Sequence, residues 1–137
     1  MLNIRTVAVI GSGTMGAGIA EVAASHGHQV LIYDISADAI SRAIEGIRQR
    51  LASRVTRGKL SADASGQILA RLLPVTDISA LSMAELVIEA ASERLEVKKA
   101  LFVRLAEICP AQTVLTSNTS SISITAIAAD VHHPERV

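Results

Sequence analysis

The chain has 137 residues, half of them apolar and 19% charged, with 13 basic and 13 acidic side chains. That suffices for one globular domain and is too apolar for a disordered chain; the zero net charge gives no reason to expect nucleic acid as a partner. A single cysteine, Cys109, excludes an internal disulfide and zinc-cluster spacings, so no metal is expected.

With one Tyr, one Phe and no Trp, the core must come from Val, Ile, Leu and Ala, a mix that suits a buried parallel sheet under Ala-rich helices. No apolar run approaches membrane-spanning length and no leader pattern opens the chain, so a cytoplasmic protein without membrane contact is expected. Thr6–Ile10 reads as a strand ending at glycine, and Thr14–His26 as a small-residue helix. Gly27 stops that helix before a second buried strand, Val30–Tyr33. Ser36 is a plausible N-cap for a long helix with apolar residues at Ile40, Ile44, Ile47, Leu51 and Val55, ending at Gly58. Ser61 caps a further helix to about Leu72. Pro74–Asp77 reads as a short strand, and Ala84–Ala91 contains another, consistent with burial on both faces. Ser92 then caps a helix with the stripe Val97, Leu101, Leu105 and Ile108, and Thr113–Thr116 is a fifth strand. A short helix is expected at 122–129. Strands alternating with helices predict an α/β fold: a Rossmann-type doubly wound parallel sheet, with a helical excursion after the second strand and its last strands missing.

The charge is unevenly spread. Arg42 to Arg71 holds seven basic residues against two acids, a net +5 segment beside a net −5 remainder. A solvated helix face accounts for most of these arginines.

The informative motif is Gly11-Ser-Gly-Thr-Met-Gly16, directly after the first strand and opening a helix. Gly11 permits a tight turn, Gly13 lets the backbone approach a pyrophosphate, and Gly16 allows helix and strand to touch. Phosphates then sit at the helix N-terminus, where free N–H groups favour anions. Asp34 follows the second strand at the spacing of an acid that binds the adenosine ribose hydroxyls. Its charge repels a 2′-phosphate, so NAD is expected rather than NADP.

Val7-Ala-Val-Ile-Gly-Ser-Gly-Thr-Met-Gly-Ala-Gly-Ile-Ala20, Leu86-Val-Ile-Glu-Ala-Ala-Ser-Glu93, Val97-Lys-Lys99 and Ser117-Asn-Thr-Ser-Ser-Ile122 occur in that order. Carrying these segments, the chain resembles the N-terminal NAD-binding domain of the 3-hydroxyacyl-CoA dehydrogenases over its whole length. It looks closest to their bacterial 3-hydroxyadipyl-CoA or 3-hydroxybutyryl-CoA type. The resemblance implies NAD-dependent oxidation of a 3-hydroxyacyl-CoA to the 3-oxoacyl-CoA, in fatty-acid β-oxidation or phenylacetate-type degradation, by a homo-oligomer when full length. It implies that Gly11, Ser12, Gly13, Thr14, Met15, Gly16 and Asp34 hold the dinucleotide, with Ala91, Ser92, Glu93 and Lys98 along the cofactor cleft. Ser120 looks like the family's hydroxyl near the nicotinamide and the substrate's 3-oxygen, with Asn118 in the same loop. Arg57 falls where a basic residue meets CoA, and Arg50 stands where some members have a serine.

The family's general-base histidine comes later in the sequence than Val137, and His132 and His133 read as surface residues. Residues 1–137 are therefore read as an incomplete dinucleotide domain lacking the helical second domain, with little turnover of their own. Other β-hydroxyacid dehydrogenases and a non-catalytic NAD-binding module are the alternatives.

Overall fold

The structure, a computed structural model, describes residues 4–91, 94–118, 135 and 137. The expected helix at 122–129, His132 and His133, and the site candidates Ser92, Glu93 and Ser120 lie outside the described residues. Five strands form one parallel sheet: β1 (Thr6–Ile10), β2 (Gln29–Tyr33), β3 (Leu72–Val75), β4 (Leu86–Glu89) and β5 (Val114–Ser117), in the order β3-β2-β1-β4-β5. The chain winds outward from β1 through β2 to β3, then returns to β4 on the other side of β1. The switch point between β1 and β4 is where open α/β sheets bind ligands, at the carboxyl ends of their strands.

Helices cover both faces. Helices α1 (Thr14–Ser25), α2 (Ala37–Thr56) and α3 (Ala62–Ala70) connect the first three strands. They pack on one face, where Val7, Val9, Val30 and Ile32 meet Ala20, Ala24, Ile40, Ile47, Leu51 and Ile68. Helix α4 (Leu95–Ile108) covers the other, joining Phe102 and Leu105 to Ala8, Ile10, Leu31, Val87 and Leu115. The excursion is the α2–α3 pair. Both helices start where serines were expected to cap them: Ser36 Oγ accepts from Ala39 N at 3.2 Å and Ser61 Oγ from Ala64 N at 3.1 Å.

Several boundaries differ from the sequence expectation. Strand β3 runs over Leu72–Val75 instead of Pro74–Asp77, and α3 ends at Ala70. Pro74 therefore sits inside the strand, and the missing N–H is tolerated because β3 is an outer strand paired only with β2. A 3-10 segment, Ile78–Met83, fills the connection to β4, and its buried Leu81 joins the α4-side core. Strand β4 is fully buried only at Val87 and Glu89, not on both faces, because Leu86 and Ile88 border an apolar groove of about 940 Å³ beside α1. Helix α4 has Arg94 as its N-cap, with no side-chain cap hydrogen bond, and the expected cap Ser92 lies outside the described residues. Its buried stripe is Lys98, Phe102 and Leu105, continued by Cys109, while Val97 is exposed. A lysine in a buried stripe runs against hydrophobic patterning, and its compensation lies in the site.

Candidate functional site

The carboxyl ends of the strands lie level. Register pairs Val75 with Tyr33, Tyr33 with Ile10, Ile10 with Glu89, and Glu89 with Ser117. The loops that leave this row carry Gly11–Gly16, Asp34, Ala91 and Asn118, so the expected site residues that are described gather at one end of the sheet.

The glycine turn is tightly specified. Gly11 has φ +98°, and a Cβ there would come 2.8 Å from Ala91 Cα and 2.9 Å from the Ala90 carbonyl, so the turn lies directly on the residues that leave β4. At Gly16 a Cβ would stand 1.9 Å from Gly11 O, which leaves no room for any side chain between helix and turn. Gly13 has nothing within 4 Å of the corresponding position, so its backbone is open to an approaching ligand. Helix α1 starts at Gly13 without a side-chain cap and without an acid in its first turn. Helices α2 and α3 have both, with Asp38 and Asp63 as the acids. The α1 N-terminus thus keeps donors and a positive dipole end for an anion. An open groove of about 610 Å³ runs from Ser12, Gly13 and Thr14 to Arg42 and Arg50 on α2.

Asp34 is held by the turn it is expected to serve. Its Oδ2 accepts from Ser12 N at 2.9 Å and Ser12 Oγ at 2.8 Å, and its Oδ1 accepts from Ser36 N at 3.0 Å. Partial burial pushes the carboxyl upward. Bonds from Ser36 N–H, the Ser12 hydroxyl and N–H, and Ile35 N–H outweigh it and hold the pKa below the ordinary carboxylate value. Asp34 is therefore an oriented, ionised acceptor at neutral pH.

Two residues that sequence reasoning passed over complete this end of the sheet. Glu89, the last residue of β4, is fully buried. Its Oε1 accepts from Lys98 Nζ and from Ser117 Oγ at 2.7 Å, and its Oε2 accepts from Ala91 N at 2.6 Å. Lys98 Nζ also donates to Ser117 Oγ at 3.2 Å. Lys98, expected along the cofactor cleft, is 1% exposed and engaged in this cluster. Removing one member of such a buried pair leaves an uncompensated charge and costs about 3–5 kcal/mol. The available signal was an acid inside the apolar run Leu86–Ala91 together with a lysine at the i, i+4, i+7 spacing of Phe102 and Leu105.

The remaining site expectations are placed as follows. Asn118 directly follows β5, and its N–H donates to Glu89 O at 2.7 Å. Arg57 is the exposed C-cap of α2, outside the groove by the glycine turn. Arg50 Nε is paired with Glu21 Oε1 on α1 at 2.7 Å, and Arg71 Nη1 donates to Ala24 O at 2.8 Å. These two arginines tie the helical excursion and the start of β3 to α1.

A parallel sheet with a glycine turn at its switch point and an ionised acid at the end of the neighbouring strand β2 defines a dinucleotide-binding domain of the Rossmann class. Residues 6–137 match the family model described as 3-hydroxyacyl-CoA dehydrogenase, NAD binding domain, and the chain belongs to that family. It is 75% identical over 137 residues to the 3-hydroxyadipyl-CoA dehydrogenase of Escherichia coli, covering all of this chain and 29% of that protein. It is 39% identical over 131 residues to the 3-hydroxybutyryl-CoA dehydrogenase of Clostridioides difficile, covering 96% of this chain and 47% of that one. A crystal structure of an Escherichia coli 3-hydroxybutyryl-CoA dehydrogenase superposes with a TM-score of 0.98 at 76% identity, over 99% of this chain and 29% of that one. The chain thus spans well under two thirds of these relatives. The α/β fold and the NAD cofactor agree with the sequence expectation.

Proposed function

We propose that this chain supplies the NAD site of a 3-hydroxyacyl-CoA dehydrogenase, which oxidises a 3-hydroxyacyl-CoA thioester to the 3-oxoacyl-CoA. The observation that carries the reading is the glycine turn packed on Ala90–Ala91 with Asp34 ionised beside it, in a chain of this family. Bound NAD supplies the hydride acceptor. The chain's own part is to seat the diphosphate on the α1 N-terminus through Gly11, Ser12, Gly13, Thr14, Met15 and Gly16, and the adenosine ribose on Asp34. Ala91, Ser92, Glu93 and Lys98 then border the nicotinamide half. Ser120 orients the substrate's 3-oxygen with Asn118 beside it, and Arg57 contacts CoA. Residues 1–137 form the dinucleotide domain, and no residue among them is assigned as the base that takes the hydroxyl proton.

The names of the relatives differ in acyl group, adipyl for one and butyryl for others. We take the 3-hydroxyadipyl type, for which the 75% identical relative is named, as the proposed substrate, with a role in phenylacetate-type degradation as part of the same proposal. A cytoplasmic homo-oligomer belongs to the same reading. No helix among the described residues is long and apolar enough to cross a membrane. The test is to supply the full-length protein with NAD and either 3-hydroxyadipyl-CoA or 3-hydroxybutyryl-CoA and follow NADH. NADH formed with a preference for the adipyl thioester supports the reading. Bound NAD with no NADH from either thioester refutes it.

A further inference from the structure

Glu89 lies at the switch point, level with Ile10 in β1 and Ser117 in β5, and it is the one buried acid among the described residues. It holds two loops at once. Its Oε2 takes the Ala91 N–H, fixing the turn after β4 on which Gly11 rests. Its Oε1 takes the Ser117 hydroxyl, and its main-chain oxygen takes the Asn118 N–H, fixing the exit of β5. Lys98 reaches this cluster from α4, neutralises the carboxylate and also donates to Ser117. A buried ion pair contributes little net stability compared with apolar residues of the same volume. At this place it does what apolar residues cannot: it sets the distance between Ala91 after β4 and Ser117 at the end of β5 through directed bonds.

We propose that Glu89, neutralised by Lys98 and linked to Ser117, is a positioning residue for the hydride-transfer step. It fixes Ser117 and Asn118 at the exit of β5 relative to the glycine turn on which the dinucleotide rests. The proposal rests on the dehydrogenase reading above, and it goes beyond that reading by separating two functions in the chain. The α1 N-terminus and Asp34, none of which bonds to the cluster, set cofactor affinity. The Glu89–Lys98–Ser117 cluster sets how closely substrate and cofactor approach once both are bound. Misplacement of about 1 Å between reacting groups costs on the order of a hundredfold in rate.

The experiment uses the full-length protein as wild type, as Ser117→Ala, and as the double variant Glu89→Gln with Lys98→Met, which leaves no unpaired buried charge. Three quantities are read: kcat with a 3-hydroxyacyl-CoA, the NADH dissociation constant by fluorescence, and the primary deuterium isotope effect with substrate deuterated at C3. The expected result is a fall in kcat of about ten- to hundredfold in the double variant and a smaller fall in Ser117→Ala. The isotope effect should rise in both, with NADH affinity in Ser117→Ala within about threefold of wild type. If the double variant does not fold, Ser117→Ala decides alone, since it buries no charge. Unchanged kcat and isotope effect, or activity that only tracks the folded fraction, overturn the proposal while the functional reading stands. A wild type that binds NADH but turns over no 3-hydroxyacyl-CoA overturns the functional reading, and this proposal with it.

Discussion

Replacing Gly16 with alanine should damage both the fold and the cofactor site, whereas the same change two residues later should stabilise the fold. The new Cβ at Gly16 would lie 1.9 Å from Gly11 O and 2.8 Å from Gly11 C, and it must retreat to at least 3.0 Å. Both obstructing atoms are backbone, so no side chain can swing aside. The far end of α1 is held by buried Ala20 and Ala24 and by Arg71 on Ala24 O, so the displacement falls on the glycine turn itself. Overpacking of this kind costs about 1–3 kcal/mol. At Gly18 a Cβ meets nothing within 4 Å, and alanine in a helix interior stabilises by roughly 0.5–1 kcal/mol over glycine. The two variants should therefore differ by about 1.5–4 kcal/mol in urea denaturation. In an NADH titration Gly16→Ala should also lose about tenfold or more in affinity, a change of some 1.4 kcal/mol. Gly16→Ala as stable and as tight-binding as Gly18→Ala would refute the packing argument.

Asp34→Asn should weaken NAD binding by about 1–3 kcal/mol and narrow the preference over NADP, since a charged acceptor for the ribose is lost and an amide N–H then confronts Ser12 or Ser36; calorimetry with both dinucleotides checks this. Because the folded-state pKa of Asp34 is depressed, its contribution to stability is fully present above the ordinary carboxylate pKa and is lost as pH falls through the folded value. The stability gap between wild type and Asp34→Asn should accordingly be flat above about pH 5 and shrink below about pH 4, and a gap that grows in acid would contradict the hydrogen-bond account. Arg71→Ala should cost about 1–2 kcal/mol through the lost bond to Ala24 O, with NAD affinity unchanged, and a loss of affinity without loss of stability would show that Arg71 serves the ligand directly.

The parts of this fold that were legible in sequence are those where a local rule and the tertiary context agree. The glycine turn announced β1 and α1 together, and the serines at 36 and 61 marked two helix starts to the residue. Errors arose where a long-range partner decides. Pro74 reads as a strand start until β3 is known to be an outer strand. Leu86 and Ile88 read as fully buried until the groove beside α1 is seen. Lys98 reads as a solvated or ligand-facing charge because its partner, Glu89, is on another element and Ser117 on a third. An ion pair between a strand end and a helix stripe leaves only a faint sign in one sequence, an acid and a lysine each in an apolar run.

Titration of the protein with NAD and, separately, NADP tests the central claim most directly, with Gly16→Ala and Asp34→Asn as controls. The account predicts saturable one-site binding of NAD, at least about tenfold weaker binding of NADP, and weaker NAD binding in both variants. Equal affinity for the two dinucleotides, or NAD binding untouched by either substitution, would contradict it.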